Sequence, residues 1–134
     1  MESSQLANKI AELIFNKKGY DVKILNLRKL TTITDYFVIC TGDSDTQVKA
    51  IADEVDKEMR DEGIKPWHTE GYQALNWVLI DFVDVVVHVF KKEIREFYNL
   101  EKLWGDAPTV EVVDPLLKME NTVIPKVKRT RKKA

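Results

Sequence analysis

Residues 77–90, WVLIDFVDVVVHVF, contain two apolar runs separated by a short acidic corner. Runs rich in β-branched and aromatic residues on either side of a tight corner predict a β-hairpin. If Phe82 and Val83 form a two-residue loop, that loop sets the register of the two strands. The predicted pairs are Asp81 with Asp84, Leu79 with Val86, Trp77 with His88, and Leu75 with Phe90.

The two faces of this predicted hairpin differ in character, because opposed residues share a face. One face is aliphatic and predicts the floor of a hydrophobic core. It carries Val78, Ile80, Val85, Val87 and Val89. The other face mixes aromatic, apolar and acidic groups, as protein-binding surfaces do. It carries Leu75, Trp77, Leu79, His88 and Phe90, with the two aspartates at one end. This asymmetry favours a binding protein.

Size and composition predict one globular domain with its own core, since the chain has 134 residues, 44% of them hydrophobic. We predict an α/β domain over residues 1–105 and a flexible tail over residues 106–134, which has three prolines and little periodicity. The single Cys40 excludes an internal disulfide and fits a reducing compartment. No signal-peptide pattern or membrane-length segment is found, so we expect a cytoplasmic protein that does not contact a membrane.

Charge is unevenly distributed along the chain. The net charge is −1, but residues 126–134 hold six Lys and Arg and no acid. Residues 1–125 therefore carry −7, from 15 basic and 22 acidic side chains. An acidic body and a basic end are expected to attract different surfaces. The alternatives for the basic end are a solvated terminus and an RNA contact, for which ribosomal RNA is a natural target.

Hydrophobic periodicity predicts the order α-β-β-α-β-β-β-α, a single α/β domain with a mixed sheet of about five strands and three helices. Three such helices cover one face of the sheet and leave the other to a partner or to water. The predicted segments are a helix capped by Ser3 or Ser4 and ended by Gly19, strands at 22–27 and 36–41, a helix from Ser44 to Gly63, an edge strand at 65–70, the hairpin at 74–90, and a helix at about 91–103.

Candidate chemical groups have simpler structural explanations. Asp81 and Asp84 are a potential metal-binding pair, but aspartates favour turns and no third carboxylate is forced near them. The two histidines and the cysteine lack zinc-ligand spacing, and we expect His88 to form a hydrogen bond beside Trp77. Residues 41–44, TGDS, predict a helix cap, not an anion site, because acids follow closely. We therefore predict no catalytic residue, no metal and no cofactor.

Six segments and one serine occur in this order: residues 35–42 (DYFVICTG), Ser44, 50–53 (AIAD), 70–71 (EG), 77–81 (WVLID), 84–90 (DVVVHVF) and 97–104 (FYNLEKLW). Together they closely resemble the ribosomal silencing factor family, the Iojap-like group, over about residues 5–108. The resemblance implies a nucleotidyltransferase-like fold without transferase chemistry. It also implies docking on large-subunit ribosomal protein L-fourteen, which blocks joining of the subunits and represses translation under nutrient limitation. A homodimer, or a monomer–dimer equilibrium off the ribosome, is implied as well.

We predict that the mixed face of the hairpin binds this partner. The candidate partner-binding residues are Trp77, Leu79, Asp81, His88 and Glu70. The implied partner is small and basic, so the acidic body would speed encounter, while Trp77 and its apolar neighbours would supply affinity. Steric blocking of the joining surface needs no catalytic group.

Two positions depart from the family pattern. The family usually has Gly where Val83 stands, and a β-branched residue resists the positive φ of a two-residue hairpin. We therefore predict a longer loop, residues 81–84, with the same register. The family often has Arg within residues 45–47, which are Asp-Thr-Gln here, so no basic contact is expected there.

Two other functions are considered. An active nucleotidyltransferase would need a cluster of metal-binding carboxylates, which the sequence does not supply. An RNA-binding module acting through the basic end is opposed by the acidic body, and its binding would weaken steeply with salt.

Overall fold

A computed structural model describes residues 1–116. The elements are α1 (Ser3–Asn16), β1 (Tyr20–Asn26), β2 (Tyr36–Gly42), α2 (Asp45–Asp61), β3 (His68–Glu70), β4 (Trp77–Asp81), β5 (Val85–Lys91), α3 (Lys92–Tyr98), α4 (Leu100–Leu103) and β6 (Thr109–Val112). The strands form one sheet in the order β3-β4-β5-β2-β1-β6, in which β2 and β5 are parallel and the other described neighbours are antiparallel. The predicted α/β order is confirmed, with one strand added at its end.

The two long helices begin with side-chain caps. Ser44 Oγ accepts the backbone N–H of Gln47 at 3.2 Å, as predicted for the start of α2. For α1 the predicted serine cap is wrong, because Glu2 precedes the helix and its N–H donates to Gln5 Oε1 at 2.9 Å. Among residues 1–116, no helix is long and apolar enough to cross a membrane.

Helices α1 and α2 pack on the aliphatic face of the sheet and form the main core with it. The prediction for this face is confirmed, since all five of its residues are fully buried: Val78, Ile80, Val85, Val87 and Val89. Leu75 was predicted for the opposite face. It instead adopts φ +61 before β4 begins and packs against this core.

The hairpin register is shifted by two residues from the predicted one. The observed pairs are Asp81 with Val86, Leu79 with His88, and Trp77 with Phe90. The prediction of a longer loop is also wrong. It assumed that a β-branched residue avoids positive φ, but Val83 adopts φ +78. Phe82 N–H donates to the Val85 carbonyl at 2.9 Å, and Asp84 N–H donates to the Phe82 carbonyl at 3.0 Å, which closes a tight turn. A shift of two preserves both faces.

The C-terminal part differs from the prediction in two places. The helix predicted at 91–103 is divided into α3 and α4, because Asn99 adopts a left-handed conformation with φ +45 and ψ +64. Within the segment predicted as tail, β6 pairs with β1 and places Val112 opposite Val22. A four-residue strand is too short for its periodicity to be recognised in the sequence. The remainder of the predicted tail from residue 117, with the basic end, lies outside the described residues.

The second face of the sheet is only partly covered. Helices α3 and α4 and the segment after them form a smaller apolar cluster on it, which includes Leu25, Leu27, Ile39, Phe90, Leu100 and Ala107. Helices therefore lie on both faces of the sheet. The prediction that all three helices cover one face is wrong. Because α3 and α4 are short, cover of β4 within the described residues is partial: Tyr98 of α3 packs on Trp77, whereas Leu79 and Asp81 further along the strand remain half-buried and β3 is exposed.

Candidate docking surface

The five predicted partner-binding residues lie on one face of the sheet. Trp77, Leu79 and Asp81 alternate along β4, and Leu79 has His88 opposite it on β5 and Glu70 opposite it on β3. Opposed residues share a face, so the register change leaves this grouping intact. The three β4 residues are half-buried and Glu70 is exposed. We call the surface formed by Trp77, Leu79, Asp81 and Glu70 the docking strip.

Trp77 is held in one orientation by its neighbours. Its indole lies 4.8 Å from the ring of Phe90 in a stacked arrangement and 4.9 Å from the ring of Tyr98, centroid to centroid. Its Nε1–H donates to His88 Nδ1 at 3.0 Å, which confirms the predicted hydrogen bond. A half-buried tryptophan with a fixed ring and a satisfied N–H is the kind of residue that anchors protein interfaces.

His88 supports the docking strip from beneath. It is only 4% exposed, and burial lowers the pKa of its imidazole from 6.5 to about 3, so the ring is neutral at physiological pH. Because Nδ1 accepts the indole N–H, the proton of the neutral ring is on Nε2. That Nε2 has no hydrogen-bond partner among the described residues. His88 therefore fixes the indole of Trp77 and is too deeply buried to form the exposed surface itself.

Gly71 allows the chain before β4 to approach Trp77 closely. It adopts φ +93, and a Cβ at this position would lie 2.0 Å from the carbonyl oxygen of Trp77. A side chain at residue 71 would therefore displace the backbone of the docking strip. Glu70, just before it, forms an exposed hydrogen bond with the ring Nε2 of His68 at 2.7 Å.

Two aromatic residues of α3 extend the docking strip and were not singled out from the sequence. Tyr98 packs on Trp77 and is 50% exposed, and Phe97 contacts Tyr98 edge to face at 5.1 Å and is 79% exposed. A helix that begins directly at the end of β5 must fold back over the sheet, and this connection was visible in the sequence. The contact with Trp77 was not, because it depends on where α3 ends.

A buried arginine fastens α3 to the sheet. Arg95 is the only buried residue of this helix, and its guanidinium donates to the Asp21 carbonyl, to Thr41 Oγ1 at 2.7 Å and to Glu101 Oε2 at 2.9 Å. Burial opposes ionisation of Glu101, but the hydrogen bond and charge of Arg95 outweigh it and lower the pKa of that carboxyl. The left-handed Asn99 returns the chain so that Glu101 reaches Arg95. The position of Tyr98 therefore depends on a polar clamp and not on an apolar helix face.

The other end of the docking strip adjoins the hairpin turn. Asp81 Oδ1 accepts the N–H of Val83 at 2.7 Å, so Asp81 caps the turn as predicted. Residues 1–116 contain no group of three or more His, Cys, Asp or Glu arranged to hold a metal ion. Trp67 and Ile33 lie beside this turn with 74% and 84% of their surfaces exposed, and sequence reasoning gave neither a role.

The other candidate groups are occupied by structural contacts. Cys40 is fully buried, which raises the pKa of its thiol to about 12 and makes it unreactive. At the start of α2, Asp45 accepts Lys91 Nζ at 2.7 Å, and Asp43 accepts the hydroxyl of Tyr20. The helix start therefore presents carboxylates to solvent, as expected of a cap that does not bind anions.

Comparison with known proteins identifies the family. A family model described as "Ribosomal silencing factor during starvation" matches residues 1–134. The ribosomal silencing factor RsfS of Halalkalibacterium halodurans is 48% identical over 112 residues, which is 84% of this chain and 96% of that protein. The chain belongs to the ribosomal silencing factor family. RsfS of Bacillus subtilis is 46% identical over 97 residues, 72% of this chain and 82% of that protein.

A solved structure shares the fold. The crystal structure of a protein from Chromobacterium violaceum superposes with a TM-score of 0.77 at 35% identity, and covers 84% of this chain and 94% of that one. The resemblance noted in the sequence is confirmed. Ribosomal silencing factors are non-enzymatic, so the prediction that this chain is not an enzyme is also confirmed.

Proposed function

We propose that this ribosomal silencing factor docks on large-subunit protein L-fourteen through the docking strip and thereby keeps the small subunit from joining. The observation that carries the proposal is the incomplete cover of the second sheet face, where Trp77 and Leu79 are half-buried and the Trp77 indole is held in place by its hydrogen bond to His88. A prearranged aromatic anchor next to aliphatic and acidic groups loses little freedom on binding. Repression of translation then requires only that the bound domain occupy the joining surface.

Charge supports a basic partner. Residues 1–125 carry a net charge of −7, and the docking strip itself contains Asp81 and Glu70. Opposite charge on the partner would raise the association rate, while the apolar contacts would set the dissociation rate.

Three finer points belong to the same proposal and rest on the family resemblance or on composition. We propose a cytoplasmic location, which fits the single cysteine of the chain. We also propose a homodimer or monomer–dimer equilibrium off the ribosome, which the family resemblance implies. A contact between the six basic residues of 126–134 and ribosomal RNA rests on their charge alone. If that contact dominated, binding would fall steeply with added salt; docking through the strip predicts a weaker salt dependence.

The test is sedimentation of the full chain with separated small and large subunits. We expect it to sediment with the large subunit only and to reduce the fraction of joined ribosomes. A matched pair of variants locates the surface: Leu79→Asp places a charge in the docking strip, and Val110→Asp places the same charge on the exposed β6 at the opposite edge of the sheet. Leu79→Asp should lose binding and Val110→Asp should keep it. Equal binding by both variants, or binding to the small subunit, would contradict the proposal.

A further inference from the structure

A small cavity of about 220 Å³ lies where the docking strip meets the hairpin turn. Three of its walls are large apolar side chains that are mostly exposed, Ile33 (84%), Trp67 (74%) and Val83 (52%). It is lined by Ile33, Thr34, Trp67, Asp81, Val83 and Val86. We call it the turn socket.

Folding stability does not explain these walls. Apolar side chains exposed to this extent contribute little hydrophobic stabilisation. Val83 in addition adopts φ +78, an unfavourable conformation for a β-branched residue. The backbone that carries two of these walls is nevertheless tied down, because Trp67 N–H donates to the Asp81 carbonyl at 2.7 Å and Ile33 N–H donates to Thr31 Oγ1 at 3.2 Å. Exposed apolar side chains grouped on one surface are typical of a binding site.

The polar groups of the turn socket are incompletely satisfied. Asp81 is the only charged residue among the six that line it. One carboxylate oxygen of Asp81 caps the turn, and the other makes no hydrogen bond within residues 1–116. Thr34 is 6% exposed, and its hydroxyl is buried without a partner among the described residues. The second oxygen of Asp81 is therefore available to a bound donor.

We propose that the turn socket receives a single arginine or lysine side chain of a protein partner. The volume is below the roughly 300–1,000 Å³ of small-molecule sites, so one side chain fits better than a cofactor. The aliphatic stem would pack against Ile33 and Val83, the cation would pair with Asp81, and the indole face of Trp67 would favour the same charge. Asp84 and Asp35, joined by a backbone hydrogen bond of 2.9 Å at this corner, add negative charge that disfavours a phosphate-bearing partner.

The inference deepens the proposed function, because the turn socket adjoins the docking strip and shares Asp81 with it. A partner seated on Trp77 and Leu79 would reach the socket with a neighbouring basic side chain. The apolar anchor at Trp77 would then supply affinity, and the socket would fix the orientation of the partner on the strip.

The first test uses isolated side-chain analogues and needs no ribosome. N-acetylarginine amide is titrated into ¹⁵N-labelled full chain, and N-acetylnorleucine amide, which has an aliphatic side chain without charge, is the control. We expect the indole N–H signal of Trp67, assigned with Trp67→Phe, to shift with the arginine analogue only. The shift should be lost in Asp81→Asn, whose amide oxygen still caps the turn. No shift at Trp67, or an equal shift with norleucine, would overturn the socket.

The second test uses purified L-fourteen protein and distinguishes the socket from the docking strip. Trp67→Ala should weaken binding about tenfold, a change of ~1.4 kcal/mol. Val83→Gly removes one wall of the socket and also relieves the strained φ. It should therefore raise the melting temperature and lower the affinity for L-fourteen protein. Unfolding could not explain a loss of affinity in a variant that is more stable. If both variants bind like the parent while Leu79→Asp does not, the strip stands and the socket is wrong. If the parent fails to bind L-fourteen but the arginine analogue still shifts Trp67, the proposed function fails and the socket stands.

Discussion

Replacing Trp77 tests both the stability of the docking strip and its binding role. Trp77→Ala removes contacts with Phe90 and Tyr98 and leaves Nδ1 of the buried His88 without its donor. Truncation of a fully buried tryptophan costs about 3–5 kcal/mol, so the half-buried indole should contribute about 2 kcal/mol. The unpaired acceptor adds ~1 kcal/mol. We therefore expect the free energy of unfolding to fall by about 3 kcal/mol. From the sequence alone, which places Trp77 on the face away from the aliphatic core, the free energy of unfolding would be expected to stay nearly unchanged.

The hydrogen bond can be separated from the packing by urea unfolding of four full-length chains. Trp77→Phe keeps a ring but loses the donor, and His88→Leu removes the acceptor. Each single variant should lose about 1–2 kcal/mol, and the double variant should lose clearly less than their sum, because no buried polar atom is then left unpaired. Additive losses would refute the reasoning that the two side chains act as one unit. In binding, Trp77→Ala should cost on the order of 2 kcal/mol, about thirtyfold in affinity for L-fourteen.

Three further predictions concern the supports of the docking strip. Val83→Gly should raise the free energy of unfolding by about 1 kcal/mol, because strain at φ +78 exceeds the added freedom of glycine in the unfolded chain, and thermal melting would show it as a rise of a few degrees. Because the pKa of His88 is lowered to about 3 in the folded protein, the unfolded chain takes up a proton first as the pH falls below 6.5. The free energy of unfolding measured in urea should therefore be lower by ~2 kcal/mol at pH 5 than at pH 7.5. His88→Gln should reduce this pH dependence. Arg95→Met should lower the free energy of unfolding by about 3 kcal/mol, because Glu101 loses its main partner. Lys57→Met, which removes an exposed ion pair, should leave the free energy of unfolding almost unchanged.

The sequence was most informative where one simple rule governs a whole strand. Alternation along β4 and β5 determined both faces of the paired strands despite a wrong register, because an error of two residues leaves each strand residue on its own face. Leu75, which precedes β4, is the exception. The register itself depended on Val83. The preference of this β-branched residue for negative φ is overridden by the pairing of β4 with β5. No local pattern contains that information.

Other features depend on contacts between distant parts of the chain. In the sequence, Arg95 resembles a surface residue of a charged helix. Its burial depends on partners far along the chain, the Asp21 carbonyl and Thr41 Oγ1, which are 74 and 54 residues away. The strand β6 exists because β1 offers it an edge, so its four residues carry no signal of their own. Trp67 and Ile33 likewise come together beside the hairpin turn, although both are distant from that turn in the sequence.

The parallel pairing of β2 with β5 at the centre of the sheet has a consequence for how the protein is made. Tyr36 of β2 pairs with Val85 of β5, so β2 lacks one of its neighbours until almost the whole domain has been synthesised. Pairings between segments this far apart in the chain form late, since a long loop must close first. Trp77, His88 and Tyr98 are all in the last-made part of this fold. A nascent chain or an N-terminal fragment therefore carries no docking surface, and binding activity should appear in one step when the domain is complete.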